Sequence, residues 1–420
     1  MNYINKTQNL NEKHQIYLFY LIPLFFLIGR APTDIILTYL GFNFFVSKIL
    51  LLKDFSIFKN KIFQIGLLFC IIQIFVSFFS TNLSVSITKS FSYLRFILFF
   101  GATVYLLNSN YFKLKYFFYV IGICLIFINF DILVQYLFGY DFFGYEPVKN
   151  SANSFRYSGS FGEEFVAGNY IQKFLLIFAL IIILRSQGLY KKYIFELLIL
   201  FSIIIVLITG DRMAFISVLY SLFFIFIFIS KVRLYLLIMG IVITTCVGGM
   251  VYFDKGIRDR IISIPKQLLF KKNNEFYNPH LNLIKQSIEI FKNHKIFGTG
   301  IKTFRTVCSQ KENSILINTE KGVTKVNFCS NHPHNYYFEL LSEIGLIGFL
   351  AFIIIVFMLL YFTGFNKEYA SNYKLSFLCL LVFLFPIATT GSFFTNINSC
   401  YFWFFISLVN INLIDNKRYY

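Results

Sequence analysis

The chain reads as an all-α polytopic membrane protein of about twelve transmembrane helices, with one large outward-facing loop between the ninth and tenth. Three observations carry this reading. Hydrophobic residues make up 57% of the chain and charged residues only 14%, against about 25% charged in a soluble domain. Apolar segments of about 17–25 residues, the length that spans hydrocarbon, recur from one end to the other. The turns between them alternate between rich and poor in Lys and Arg, as turns on opposite sides of a membrane do. Membrane lipids are therefore the expected surroundings of the net charge of +18, and nucleic acid is not an expected partner.

The spans fall at about 16–29, 33–52, 62–80, 91–107, 116–137, 166–185, 193–209, 213–230, 233–253, 337–363, 374–391 and 398–415. The first is short, and the fourth carries Arg95 near one end. With the N-terminus inside, the inner segments carry Lys6 and Lys13; Lys53, Lys59 and Lys61; Lys113 and Lys115; Arg185, Lys191 and Lys192; Lys231 and Arg233; Lys367 and Lys374; Lys417 and Arg418. Outer turns near 30–32, 81–85, 210–212 and 391–397 hold at most one cation each. Both termini are thus expected on the cytoplasmic side. Residues 1–15 are polar and show no signal-peptide cleavage site, so the first helix is read as a retained anchor. The simplest partition is helices one to nine over 1–253, a loop domain over 254–336, and helices ten to twelve over 337–420.

Two outer segments have substance, about 138–165 and 254–336. The larger holds fourteen Lys and Arg against six Asp and Glu, a difference of +8. Such a loop suits a partner bearing phosphate or pyrophosphate, and equally suits anionic headgroups. Within it, 281–293 places Leu281, Ile284, Ile288 and Phe291 at helical spacing. This predicts an amphipathic helix on the membrane or over a cavity, ended by a chain reversal at Gly298-Thr-Gly300.

Five of the seven cysteines fall inside spans and read as small apolar packing residues. Cys308 and Cys329 are the two in the outer loop. In an oxidising compartment they form a natural disulfide, worth roughly 3 kcal/mol for a loop of about 20 residues. The bridge would pin the segment after Arg305 against His332 and His334. A metal site from Cys308, Cys329, His332 and His334 is the alternative, at spacings unlike those of structural zinc.

Polar residues then converge on the outer face. Gly210-Asp211-Arg212 interrupts two apolar helices at a tight outer turn. Arg305 follows the Gly-x-Gly reversal, His334 opens the tenth helix, and Arg156 lies in the smaller loop. Guanidinium groups hold phosphate with two parallel hydrogen bonds and a permanent charge. A histidine near neutrality can take the proton of an attacking hydroxyl. Arg212, Arg305 and His334 are therefore the candidate catalytic residues. No cofactor is expected, and no carboxylate cluster in the outer loops is set out to hold Mg²⁺. Asn335 reads as a helix N-cap. Asn335, Glu339 and Glu343 recur every four residues and share one face, which should point into the bundle. There the carboxylates could orient His334, act as the base, or simply bond between helices. Gly345 and Gly348 read as close-packing positions.

These residues also carry a resemblance. His334-Asn335, nine residues, then Gly345-x-x-Gly348 is similar to the His-Asn-x9-Gly-x-x-Gly signature of the bacterial O-antigen ligase and O-antigen polymerase superfamily. Thr209-Gly-Asp-Arg212-Met-Ala resembles the family's arginine turn. Ser158-Gly-Ser-Phe with Ala167-Gly-Asn-Tyr resembles its first outer-loop motif. Phe291-Lys-Asn-His-Lys-Ile-Phe-Gly-Thr-Gly300 looks like the segment before the second half of its large loop. The resemblance covers about 156–348, and the layout of spans agrees beyond it. It implies a GT-C-like glycosyltransferase of the bacterial inner membrane with a periplasmic active site. The donor it implies is an undecaprenyl-pyrophosphate-linked glycan, and the acceptor lipid A-core or another glycan. The family's ligases are thought to use two arginines and the motif histidine. Arg212 and His334 match. His280 stands where the second arginine is common, so His280 or Arg305 takes that part, with Arg156, His332, Asn335, Glu339 and Glu343 as further substrate-binding candidates. A transporter should show charges deep in several spans and repeat symmetry; Asp34, Asp131 and Lys173 are the few buried charges and no repeat is visible. A purely structural partner would leave Arg212 and His334 unexplained.

Overall fold

A computed structural model describes residues 2–149, 155–184, 192–253, 258, 279–319, 322–365, 373–386, 391–411 and 413. The architecture is a bundle of helices with a small mixed layer of loop structure on one face. In chain order the N-terminal helices are α1 (Asn2–Tyr20), α2 (Ile22–Ile28), α3 (Arg30–Phe44), α4 (Lys61–Ser77), α5 (Leu83–Leu107) and α6 (Leu114–Phe138). The strands β1 (Val148–Lys149) and β2 (Phe155–Arg156) follow, then α7 (Ala167–Leu184), α8 (Lys192–Ile208), α9 (Arg212–Phe228) and α10 (Arg233–Phe253). The loop domain supplies α11 (Pro279–Asn293), α12 (Phe304–Val307) and the hairpin β3 (Ile315–Thr319) to β4 (Gly322–Val326). The chain closes with α13 (Tyr336–Gly364), α14 (Tyr373–Phe383) and α15 (Asn396–Ser407).

Each expected span overlaps helix, but among the described residues length and composition qualify six segments to cross a membrane: Arg30–Leu51, Leu83–Leu107, Leu114–Phe138, Ala167–Leu184, Ser230–Phe253 and Tyr336–Gly364. Four further apolar helices are shorter, within Lys61–Ser77, Ile194–Ile208, Arg212–Phe228 and Lys374–Phe383. Proline accounts for part of the shortfall. The segment read as the first span is divided at Leu21, with Pro23 in the first turn of α2, where its missing N–H costs nothing. α14 ends at Phe383, just before Pro386. The last span is helical only to Ser407 and then tightens into one 3₁₀ turn, Leu408–Asn410. α3 instead gains length by running on as a π-helix, Phe45–Leu51.

Two carboxylates of the bundle, Asp34 and Asp131, are each met by donors. Arg95 bonds the Asp34 carboxylate at 2.9 Å, and Asn396 donates to the same carboxylate at 2.8 Å. Asp131 and Gln135, on adjacent turns of α6, take backbone amides of the smaller loop. Phe142 and Ser160 donate to Asp131, and Gly159 donates to Gln135. Asp131 is therefore a loop anchor, which removes one of the few features that pointed to transport.

α13 is broken. Gly345 has φ 64° and ψ −169°, a conformation open essentially only to glycine. Breaking a helix there frees carbonyls above the break and amides below it. The segment 295–300 fills the gap. Thr299 and Gly300 donate to the carbonyls of Ser342 and Glu343 at 3.1 and 2.8 Å. Below, Leu346 and Ile347 donate to Lys295 and Ile296 at 2.8 and 3.2 Å. The other side of the same segment docks on the α4–α5 turn, where Ser80 and Thr81 bond the Thr299 carbonyl and Ser86 accepts from Ile301 N–H. Gly345 thus serves close approach by a loop rather than by a helix.

A methyl group at Gly345 would collide with the backbone of Gly298 and Ile296, whereas one at Gly348 would press on the side chain of Ile344 rather than on backbone. Gly345→Ala should therefore cost at least about 2 kcal/mol and lower the melting temperature in detergent well below that of Gly348→Ala. Equal melting of the two variants would show that the break is not structurally required.

Candidate functional site

The first group of site residues is built by two short turns. Thr209-Gly210-Asp211 reverses the chain between α8 and α9, with Gly210 at φ 74°. Asp211 caps α9 by accepting from Met213 and Ala214 N–H, both at 3.1 Å, which fixes Arg212 as the first helical residue. The smaller loop meets this turn directly. Tyr157 N–H donates to the Thr209 carbonyl at 3.2 Å. The β1–β2 pairing sets Val148 opposite Arg156, and the Arg156 guanidinium lies 4.8 Å from the centre of the Phe165 ring. The outcome is that Arg156 sits within electrostatic range of both Arg212 and the Asp211 carboxylate. The loop that carries Arg156 thus lies against the turn from which Arg212 opens α9.

The second group belongs to the loop domain. α11 buries Leu283, Gln286, Ser287 and Ile290, with Asn282 beside them. Leu283 and Ile290 pack with Phe304, Val307 and Cys308, and Phe328 covers the cluster. Gln286 is its polar hub. It donates to the Asn313 carbonyl at 2.5 Å and accepts from Phe328 N–H at 2.9 Å. Cys308 and Cys329 are joined in a disulfide with their Cα atoms 5.5 Å apart. Hub and bridge together hold α12 and the segment 327–329 against α11. The apolar stripe expected to be the buried one, Leu281, Ile284, Ile288 and Phe291, is only partly covered. The inward face is the adjacent stripe, chosen by the complementary core of α12.

That packing brings three histidines together. The His280 and His334 rings stand edge to face with centroids 5.3 Å apart, and His332 and His334 are 4.2 Å apart. His280 keeps an exposed face, while the protein around the rest of its ring holds its pKa below the usual histidine value. His334 adopts φ 58°, an uncommon conformation for a residue with a side chain, and is followed at once by the cap of α13. Asn335 accepts from Tyr337 and Phe338 N–H at 3.0 and 3.4 Å and donates to the Pro386 carbonyl at 2.9 Å. Phe385, the preceding residue, packs against Tyr220 of α9 with ring centroids 3.9 Å apart. The helix that Arg212 opens and the helix that Asn335 caps are thus joined through one segment.

Glu339 and Glu343 point inward, each about 1% exposed. Glu343 accepts from Lys302 N–H at 2.8 Å and Phe304 N–H at 3.1 Å, so it caps α12. Glu339 accepts from Phe393 N–H at 2.7 Å. Lys302 reaches both carboxylates electrostatically and donates to the Ser392 hydroxyl. Burial pushes the Lys302 ammonium below its ordinary pKa, and the two glutamates oppose that shift. Both glutamates therefore have structural employment beneath the histidines. Lys302 and Ser392 had no signal in the sequence that marked them.

Arg305 is exposed on α12, with Lys302 as a cationic neighbour. Arg156 is the arginine that meets Arg212. Most of the cations expected in 254–278, and Lys321, lie outside the described residues. Among the described residues, no group of three or more His, Cys, Asp and Glu is arranged to hold a metal ion, and the alternative metal site loses Cys308 and Cys329 to their bridge.

Two expectations follow from the loop packing. Cys308→Ser should remove the difference in gel mobility between oxidised and reduced protein; a difference that persists would place the bridge elsewhere. Glu343→Gln puts an amide donor against one of two backbone donors, so it should destabilise by about 1–3 kcal/mol and loosen α12 to proteolysis; unchanged protection would contradict the capping role.

No curated protein matches the chain. Residues 197–353, which contain the Arg212 turn, the His280 helix and the His332–Asn335 segment, match the family model for O-antigen ligase, and the match supports placing the chain in the O-antigen ligase and polymerase superfamily.

Proposed function

We propose that the protein transfers a glycan from an undecaprenyl-pyrophosphate carrier to an acceptor sugar on the periplasmic face of the bacterial inner membrane, attaching O-antigen to lipid A-core. The observation that carries this reading is the docking of the loop that bears Arg156 on the turn that opens at Arg212, where Tyr157 N–H donates to the Thr209 carbonyl at 3.2 Å beside the Asp211 carboxylate that caps α9. The stretch that matches the O-antigen ligase family model also contains His280, His332 and His334.

The chemistry assigns each group a task. The acceptor hydroxyl oxygen forms a bond to the anomeric carbon of the donor, and the bond from that carbon to the pyrophosphate oxygen breaks. His334 takes the hydroxyl proton as the bond forms. Arg156 and Arg212 hold the pyrophosphate by bidentate hydrogen bonds and stabilise the charge it gains on leaving. His280 and His332 fix the His334 ring from two sides. Asn335 sets where α13 begins, and with it the height of His334. Glu339, Glu343, Lys302 and the disulfide hold this frame.

The test is the glycan ladder and the lipid-linked intermediates of a deletion strain complemented by variants. His334→Ala should lose at least about a hundredfold in transfer while the protein still inserts. Arg212→Lys, which keeps charge but not the planar fork, should also be severely impaired. Wild type should restore long glycan on the core, and the deletion should accumulate polymer on the carrier. A deletion strain with a single repeat on its core would instead make the protein a polymerase. Near-normal transfer by His334→Ala would remove the histidine from the chemistry.

A further inference from the structure

A cavity of about 580 Å³ opens at the end of the bundle away from the arginines and histidines. α5 sets the separation. Ser86, near its start, accepts from Ile301 N–H, whereas Tyr105 and Asn108, at its far end, line the cavity. The helix between them is roughly 30 Å long at 1.5 Å per residue. The facing wall comes from α1 and from the π-helix Phe45–Leu51, a rare form found mostly at functional sites. Asn11 and Gln15 of α1 both donate to the Asn43 side chain, at 3.0 and 2.8 Å, just before the π-helix begins. That clamp brings Glu12 of α1 and Lys48 of the π-helix to one cavity. The Lys48 ammonium lies 5.0 Å from the centre of the Tyr105 ring. Asp54, beyond that ring, is occupied: it accepts from Tyr105 O–H at 3.0 Å and from Ser56 N–H at 2.9 Å.

The lining selects a kind of ligand. The volume is within the range of about 300–1,000 Å³ usual for small-molecule sites. Among the described residues that line it, the charged ones are Glu12 and Lys48, one of each sign and both half-buried. Neither is in a salt bridge among the described residues. Phe44, Ala102 and Leu106 give the cavity an apolar side, and Leu50, Leu51 and Phe55 stand exposed just outside it. Exposed apolar side chains beside Lys53 and Lys59 are what a membrane boundary accommodates. We propose that this cavity binds a zwitterionic phospholipid headgroup of the phosphoethanolamine class, its phosphate at Lys48 and its ammonium at Glu12, with the acyl chains over Leu50 and Leu51. An anionic headgroup would leave Glu12 without a counter-charge, and a trimethylated ammonium has no N–H to donate to it.

Native mass spectrometry of the delipidated full-length protein tests it, with dioleoyl phosphatidylethanolamine, phosphatidylglycerol or phosphatidylcholine titrated in detergent. Wild type should hold one ethanolamine lipid at least about tenfold more tightly than either of the others, the effect of one charge-assisted hydrogen bond. Glu12→Gln should erase that preference. Lys48→Met should weaken the ethanolamine and glycerol lipids together. Equal retention of the three lipids by wild type, or stronger retention of phosphatidylglycerol, overturns the inference. So does a Glu12→Gln variant that still prefers phosphatidylethanolamine. Glycerophosphoethanolamine at equal concentration should not displace the lipid; displacement would make the occupant a soluble zwitterion and overturn the lipid assignment. Should Lys48→Met fail to fold, the comparison of Glu12→Gln with wild type decides.

Discussion

The site depends on the interruption of α13 at Gly345 and on the segment 295–300 that fills it. A break inside an apolar helix leaves peptide groups without partners, and each such group is costly away from water. Here the inserted backbone bonds both sides of the break, and the α4–α5 turn holds it from behind. Everything on the loop face is tied to this joint. The segment leads out of α11, which carries His280, and into Lys302 and α12. The half-helix above the break carries Asn335, Glu339 and Glu343. Remove the joint and the three histidines lose their common frame.

Charge is arranged with similar economy. Asp131 and Gln135 shape the smaller loop by taking its amides, which delivers Arg156 to the Arg212 turn. Asp211 caps α9 and stands between cations. Lys302 lies between two glutamates that are themselves occupied with backbone amides. Each of these charges is matched either to a partner of opposite sign or to hydrogen-bond donors, as a low-dielectric interior demands.

Much of this was legible beforehand, and the limits have physical reasons. Helix positions followed from the length of apolar runs, but whether a run can cross a membrane depends on where prolines end it, as at Pro23 and Pro386. Cys308 and Cys329 could be paired because their loop offered no others. The role of Gly345 was misread because hydrophobicity continues unbroken across it; a break whose hydrogen bonds are replaced by a distant segment leaves no trace in local pattern. In the sequence Arg305 stood out more than Arg156. Proximity to the Gly-x-Gly turn was visible, whereas the amide bonds that carry Arg156 to Arg212 come from α6. The buried stripe of α11 was displaced by one position because polar Gln286 faces inward, and only its three backbone partners explain why.

The most direct measurement is reconstitution of the purified protein in liposomes with an undecaprenyl-pyrophosphate-linked glycan and lipid A-core as the sole substrates. Transferase chemistry predicts glycosylated lipid A-core together with an equal amount of free undecaprenyl pyrophosphate, with no other protein present. Movement of the intact donor across the bilayer without bond cleavage would contradict it.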